Sequence, residues 1–325
     1  MLAFTIRRLS QSVIVLFVMS IIVFAGVFAI GNPVDILINP EADIAEQEAT
    51  IARLGLDKPM WEQYTSFISN AVYGDLGNSF VHNVPAIEII MSRLPATLEL
   101  AFLAVGLAII LGVPLGMIAG LKDDSFIGKT IMTGSILGFS LPTFWVGLIF
   151  IMIFSVTFGW LPASGRGDTV DLFGVPVSFL TWDGLSHLFL PALNLALFKM
   201  SLVIRLARSG TKEVLLQDYV KFARAKGLSN SRMIGVHVLK NIMIPVITVL
   251  GLELGNVIAF AVVTETVFAW PGIGKLLIDS ISNLDRPVVV AYLLLTVTMF
   301  IMINFIVDIL YSVLDPRVRL GGSSS

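Results

Sequence analysis

The chain has 325 residues, 56% of them hydrophobic and only 14% charged, with a formal net charge of −2 and no cysteine. That much apolar surface exceeds what a soluble domain of this length can bury, so the solvent for most of it is lipid. The missing cysteines exclude disulfides, thiolate metal sites and cysteine nucleophiles.

In chain order, Arg7 and Arg8 precede an uncharged run from Leu9 to Asn32. The run is too long for a signal peptide and has no small-residue cleavage site, so residues 1–30 read as an uncleaved first transmembrane helix. Residues 31–95 carry three basic side chains against nine acids, the balance of a loop on the outer, periplasmic side. Within it Leu54-Gly55-Leu56-Asp57-Lys58-Pro59 predicts a turn, and Trp61, Tyr64, Ile68 and Val72 follow at helical spacing. This small amphipathic helix reads as a cap on the bundle or, alternatively, as a solute-docking surface. Gly74-Asp75-Leu76-Gly77-Asn78 predicts a second turn.

Five further spans follow. Leu100–Leu121, Thr130–Gly165 and Pro287–Val307 are uncharged, Gly184–Ile204 contains Lys199, and Asn241–Phe268 contains Glu253 and Glu265. The fold class is therefore an all-α polytopic membrane protein of about six transmembrane helices. Gly112/Gly116/Gly120, Gly134/Gly138 and Gly251/Gly255 have the small-xxx-small spacing that lets helix backbones approach closely in lipid. No inverted repeat of the kind found in many secondary carriers is visible.

Charge inside lipid costs about 2.5–3.5 kcal/mol at the midplane on insertion scales, so Glu99, Lys199, Glu253, Glu265 and Asp308 should face protein or water. For Glu253, flanked by Gly251 and Gly255, two readings stand: a place on a translocation path, or a structural ion pair, for example with Lys199. Trp160, Trp182 and Trp270 fall near outer helix ends and read as interfacial anchors. Asn194 and Asn241 can hydrogen-bond between helices. None of His82, His187 and His237 lies deep in a span, which argues against an intramembrane metal site and against a serine–histidine hydrolase built on Ser140 or Ser164. Gly128-Lys129-Thr130 imitates the end of a phosphate-binding loop, but Asp123 stands where its first glycine belongs and no strand precedes it. No nucleotide site is read in this chain, and no resident cofactor or metal is expected.

Between Arg205 and Lys240 eight Lys/Arg face two acids, Glu213 and Asp218, which places this loop, and with it both termini, in the cytoplasm. Its sequence Asp218-Tyr219-Val220-Lys221-Phe222-Ala223-Arg224-Ala225-Lys226-Gly227-Leu228 predicts a helix ended by Gly227 in the left-handed conformation. A second helix should follow, capped by Ser229 or Ser231. The result is a short stiff elbow that could insert into a groove on a soluble partner; the alternative is a basic loop that binds lipid headgroups.

This stretch, with the later His237-Val238-Leu239-Lys240-Asn241, resembles the permeases of binding-protein-dependent ABC importers, specifically the dipeptide, oligopeptide and nickel class. The general cytoplasmic signature of those permeases is matched at Ala223, Gly227 and Leu239 and departs at Lys221-Phe222; the peptide-class version is matched nearly throughout. The resemblance extends to Arg7-Arg8-Leu9, Leu54–Pro59, Gln63-Tyr64, Gly74–Gly77, Pro95–Leu100, Thr264–Gly274 and Asp315-Pro316-Arg317. Entry straight into the first helix and the long loop after it look like the first of the two permeases such systems encode.

The resemblance implies that residues 96–314 form the transport core of an inner-membrane importer working by alternating access. It implies that this chain pairs with a second permease, above two ATPase subunits that bind ATP and magnesium, with a solute-binding protein docking outside; nucleic acid is not expected. It further implies that Tyr219, Lys221, Ala223, Arg224, Ala225, Lys226, Gly227, Leu228, His237 and Leu239 form the ATPase-coupling surface, with Leu121–Thr130 as a secondary contact. Gly251, Glu253, Gly255 and Glu265 are the candidate path or gate, Glu265 with a structural or gating part. The implied cargo is a di- or oligopeptide; glutathione, nickel chelates, opines and oligosaccharides use similar permeases. Residues 315–320 read as a cytoplasmic tail and Gly321–Ser325 as an appended linker.

Overall fold

A computed structural model describes residues 2–28, 44–53 and 57–314. The expectations for Leu54–Leu56, for the tail from Asp315 and for the Gly321–Ser325 linker fall outside these residues, as does the side chain of Asp308. The chain divides into two compact units, Met1–Thr97 with Pro271–Met302, and Leu98–Trp270 with Ile303–Ser325.

The first unit holds helices α1 (Leu2–Phe28), α2 (Ile44–Arg53) and α3 (Met60–Val72). It also takes the opening of α4, which runs from Ala86 to Leu121. Val23 and Val27 of α1 are buried against Val289 and Val290 near the start of the last helix, with Phe67 of α3 packed alongside. The amphipathic helix α3 forms as predicted, and Tyr64 and Ile68 of the expected face are half-buried together with Phe67. Tyr64 and Phe67 meet Phe24, and the Tyr64 hydroxyl lies 2.9 Å from Ser20 Oγ, while Trp61 and Val72 stay exposed. Below the Gly74–Gly77 turn, Asp285 accepts hydrogen bonds from Ser79 Oγ (2.5 Å) and the Phe80 amide (2.9 Å).

The second unit begins with the rest of α4 and continues through α5 (Phe126–Ser140), α6 (Thr143–Phe150) and a π-helical turn at Ile151–Thr157. The span predicted as one helix from Thr130 to Gly165 is therefore broken, and its two arms are bent by 105°. Pro142 is the cause: it has no amide proton to donate, and it forces Leu141 out of the helical region, to φ −85°, ψ 138°. Among the described residues, five helices are long and apolar enough to cross a membrane, and the bent pair makes six if it counts as one span.

A hairpin of β1 (Val170–Leu172) and β2 (Val175–Val177), not anticipated from the sequence, follows the bent pair. Phe173 and Gly174 join the strands, both at positive φ, as a two-residue type I′ turn requires. The hairpin segment is fastened by buried Glu99, which accepts from Arg166 (3.0 Å), the Ser178 amide (3.0 Å) and Ser178 Oγ (2.6 Å). The predicted intramembrane charge at Glu99 is thus neutralised within the protein.

Helix α7 (Trp182–Leu215) is the spine of this unit. The α4 glycines meet it: a Cβ on Gly116 would lie 2.5 Å from the Ile204 carbonyl oxygen, and one on Gly120 would lie 2.7 Å from Thr211 Cβ. On α7, Val203 and Ala207 pack with Val246 and Leu250 of α10 (Leu239–Phe260). Trp270 departs from its expected place, since it is 0% exposed and no lipid anchor. The chain after α11 (Val262–Val267) curls back so that the Trp270 amide donates to the Glu265 carbonyl at 2.8 Å, which carries the ring inward. Trp160 and Trp182 remain exposed.

Candidate functional site: the basic elbow and an intramembrane ion pair

After α7 the chain turns at Leu216–Gln217 into α8 (Asp218–Ala225). Gly227 ends α8 at φ +81°. The Leu228 amide donates to the Ala223 carbonyl (3.2 Å) and the Gly227 amide to the Arg224 carbonyl (3.0 Å), the two bonds of a Schellman closure. The chain restarts at α9 (Asn230–Arg232), passes a π-helical turn at Met233–Val238, and becomes the long α10. The predicted helix, glycine break and helix are all present. Ser229 occupies the capping position, but its side chain makes no cap bond and Ser231 lies inside α9.

Local packing explains which side chains are presented. Val220 (0%), Met233 and Val238 are buried and pin the elbow to its own second arm. Asn241 Nδ2 donates to the Tyr219 hydroxyl at 3.0 Å, a second tie between the arms. Opposite these anchors, Lys221, Phe222, Arg224, Ala225, Lys226 and Gly227 are exposed, while Ala223, Leu228, His237 and Leu239 are half-buried beside them. Phe222 is 60% exposed, with the Lys226 ammonium 4.6 Å from its ring centre. Lys221 pairs with Asp218 at 2.9 Å. The elbow thus presents an exposed face with an aromatic side chain and excess positive charge.

An ion-pair cluster at the end of α7 has no signature in the sequence. Asp123, in the short loop between α4 and α5, accepts from Lys212 Nζ at 2.5 Å and from Arg208 Nε at 2.8 Å. Lys212 first and Arg208 second hold its carboxyl below its ordinary value of 3.8. Arg208 and Lys212 stand four apart on one face of α7, a spacing that was legible but carried no indication of its acid. In the first turn of α5 a Cβ on Gly128 would strike the Lys122 carbonyl, so this glycine lets the loop pack closely against the helix start.

Deeper in the unit, Lys199 Nζ of α7 lies 2.5 Å from Glu253 Oε2 of α10, joining the two charges that the sequence left as possible partners. Of the residues grouped with Glu253, Gly251 packs against Val307, with a Cβ there 3.0 Å from Val307 Cγ2, and Gly255 is buried. Glu265 is separate from the pair: it is fully buried in the short helix α11. Asn194 Nδ2 donates to Thr264 Oγ1 at 3.1 Å, the interhelical bond expected of it.

The profile of the binding-protein-dependent transport system inner membrane component matches residues 112–320, and the N-terminal profile of the same membrane component matches residues 1–101. The chain is 42% identical to the di/tripeptide transport system permease protein DppB of Pseudomonas aeruginosa, over 98% of this chain and 99% of that one. It is 38% identical to the oligopeptide transport system permease protein AppB of Bacillus subtilis (98% and 100% covered) and 38% identical to the glutathione transport system permease protein GsiC of Escherichia coli (98% and 99%). Among solved structures it resembles the inward-facing MetNI methionine ABC transporter, with a TM-score of 0.54 and 12% identity over 70% of this chain and 97% of that one; this likeness concerns the fold alone.

Proposed function

Since the chain belongs to the family of binding-protein-dependent transport system inner membrane components, we propose that it is the membrane-spanning permease through which an ATP-driven importer brings di- or oligopeptides into the cytoplasm. It is a multi-pass inner-membrane protein and a permease of a transport system rather than a catalyst. A solute-binding protein outside and ATPase partners inside complete the machine.

The observation that carries the mechanism is the rigid elbow from Tyr219 to Leu239. Its buried anchors and Schellman closure let a push on α8 travel into α10 without loss in a flexible hinge. In this reading the ATPase subunits bind ATP and magnesium, grip the exposed Lys221–Gly227 face, and move α7 and α10 on each cycle. A second, related permease supplies the other wall of the path.

The experiment is ATP hydrolysis by the whole complex in lipid vesicles with its binding protein. Dipeptides, oligopeptides, glutathione and nickel chelates are added in turn; glutathione is included because of the likeness to a glutathione permease. Stimulation by peptides is expected. Hydrolysis that responds to none of the four, in a complex that assembles, would refute the import reading.

A further inference from the structure

We infer that Lys199 and Glu253 form a charge-reading station for the zwitterionic termini of a passing peptide, Glu253 receiving the α-ammonium and Lys199 the carboxylate. This rests on the peptide-import reading above and adds to it a specificity-determining site within the membrane.

Lys199 lies 17 residues from the start of α7 and 16 from its end. At 1.5 Å per residue it stands about 9 Å outward of Arg205 and about 25 Å inward of Trp182, well within the apolar layer. Glu253 is 14 residues into the 22-residue α10.

Yet neither side chain is closed off: 13% of the Lys199 side chain and 27% of the Glu253 side chain remain open in the isolated chain. Exposure at this depth means exposure to lipid, to another protein wall or to a water-filled path. An open charge facing lipid is costly there, so the open side of the pair faces the wall of the proposed second permease or the water-filled path beside it. These two helices already share a continuous apolar seam through Val203, Ala207, Val246 and Leu250. The ion pair is therefore superfluous to that packing, and buried ion pairs are in any case poor stabilisers. Its openness matches a different task.

A free dipeptide carries one ammonium and one carboxylate a few ångströms apart, the charges of this pair in mirror image. A zwitterion entering between Lys199 and Glu253 exchanges one ion pair for two and leaves no charge without a partner, so the exchange is nearly balanced. Near-balance is what a station along a path requires, since tight binding there would halt release.

The test uses the complete reconstituted complex, with peptide-loaded binding protein saturating, so that differences in capture outside do not enter. Turnover is measured for dialanine, alanyl-lysine and alanyl-glutamate in wild type, K199M, E253Q and the double variant K199M/E253Q. K199M is expected to raise the ratio of cationic to anionic dipeptide turnover about fivefold and E253Q to lower it about fivefold, the size of one partly screened charge interaction. The double variant leaves no orphan charge and so inserts even if a single variant does not; its turnover should fall about fivefold for all three peptides. Unchanged ratios in the single variants, or wild-type turnover in the double, overturn the station while leaving the importer intact. Absence of any ATP-dependent uptake by wild type overturns the import reading and the station together.

Discussion

At Asp123 two cations from one helix face converge on a single carboxylate, and the sign of its response to acid follows from its lowered pKa. A carboxylate depressed below 3.8 contributes stability that is fully present above the ordinary value and is lost only as the pH falls through the still lower folded value. The Asp123→Asn variant should therefore melt slightly below wild type at pH 7, and the gap should stay constant down to pH 5. Closure of the gap between pH 7 and pH 5 would contradict the assignment. Other single residues show how far the sequence could be read. Lys199 and Glu253 were visible as charges that lipid would not tolerate, and the ion pair was one of two open readings. Trp270 misled because tryptophan near a predicted helix end favours the interface, whereas here the backbone bond to Glu265 turns the ring inward. The Asp123 tie stayed hidden because its partners lie 85 and 89 positions away and no local pattern links them.

Among the elements, the long apolar helices and the elbow were legible because each depends on local signals: hydropathy sustained over a bilayer's width, and a glycine after an alanine- and cation-rich turn. The break at Leu141-Pro142 and the hairpin at Val170–Val177 were not read. Hydropathy alone does not register a bend, and three-residue strands are too short to show alternation. The elbow yields the prediction that belongs at this scale. A β-branched side chain at φ +81° costs about 1–3 kcal/mol, and relieving that strain unwinds the Schellman closure. In Gly227→Val the peptide carried per ATP hydrolysed should fall about tenfold or more while the chain still inserts in the membrane. Wild-type coupling in that variant would mean that the left-handed break is not what transmits force.

For the whole molecule, the import reading proposed above has work reach the permease through a surface, and the exposed face of α8 is the surface proposed for it. Its outward charge is basic, its aromatic knob is Phe222, and its anchors Val220, Met233 and Val238 are buried. Because the chain has no cysteine, a single introduced thiol reports on one position without further mutation. The most direct test is cross-linking in the assembled complex from Phe222→Cys, with Phe173→Cys at the hairpin tip as the control across the membrane. The account predicts that the thiol at 222 joins an ATPase subunit, that added nucleotide changes the yield, and that the thiol at 173 never reaches that subunit. A thiol at 222 that joins only lipid or solvent-borne reagent, in a complex that still hydrolyses ATP on peptide addition, would contradict it.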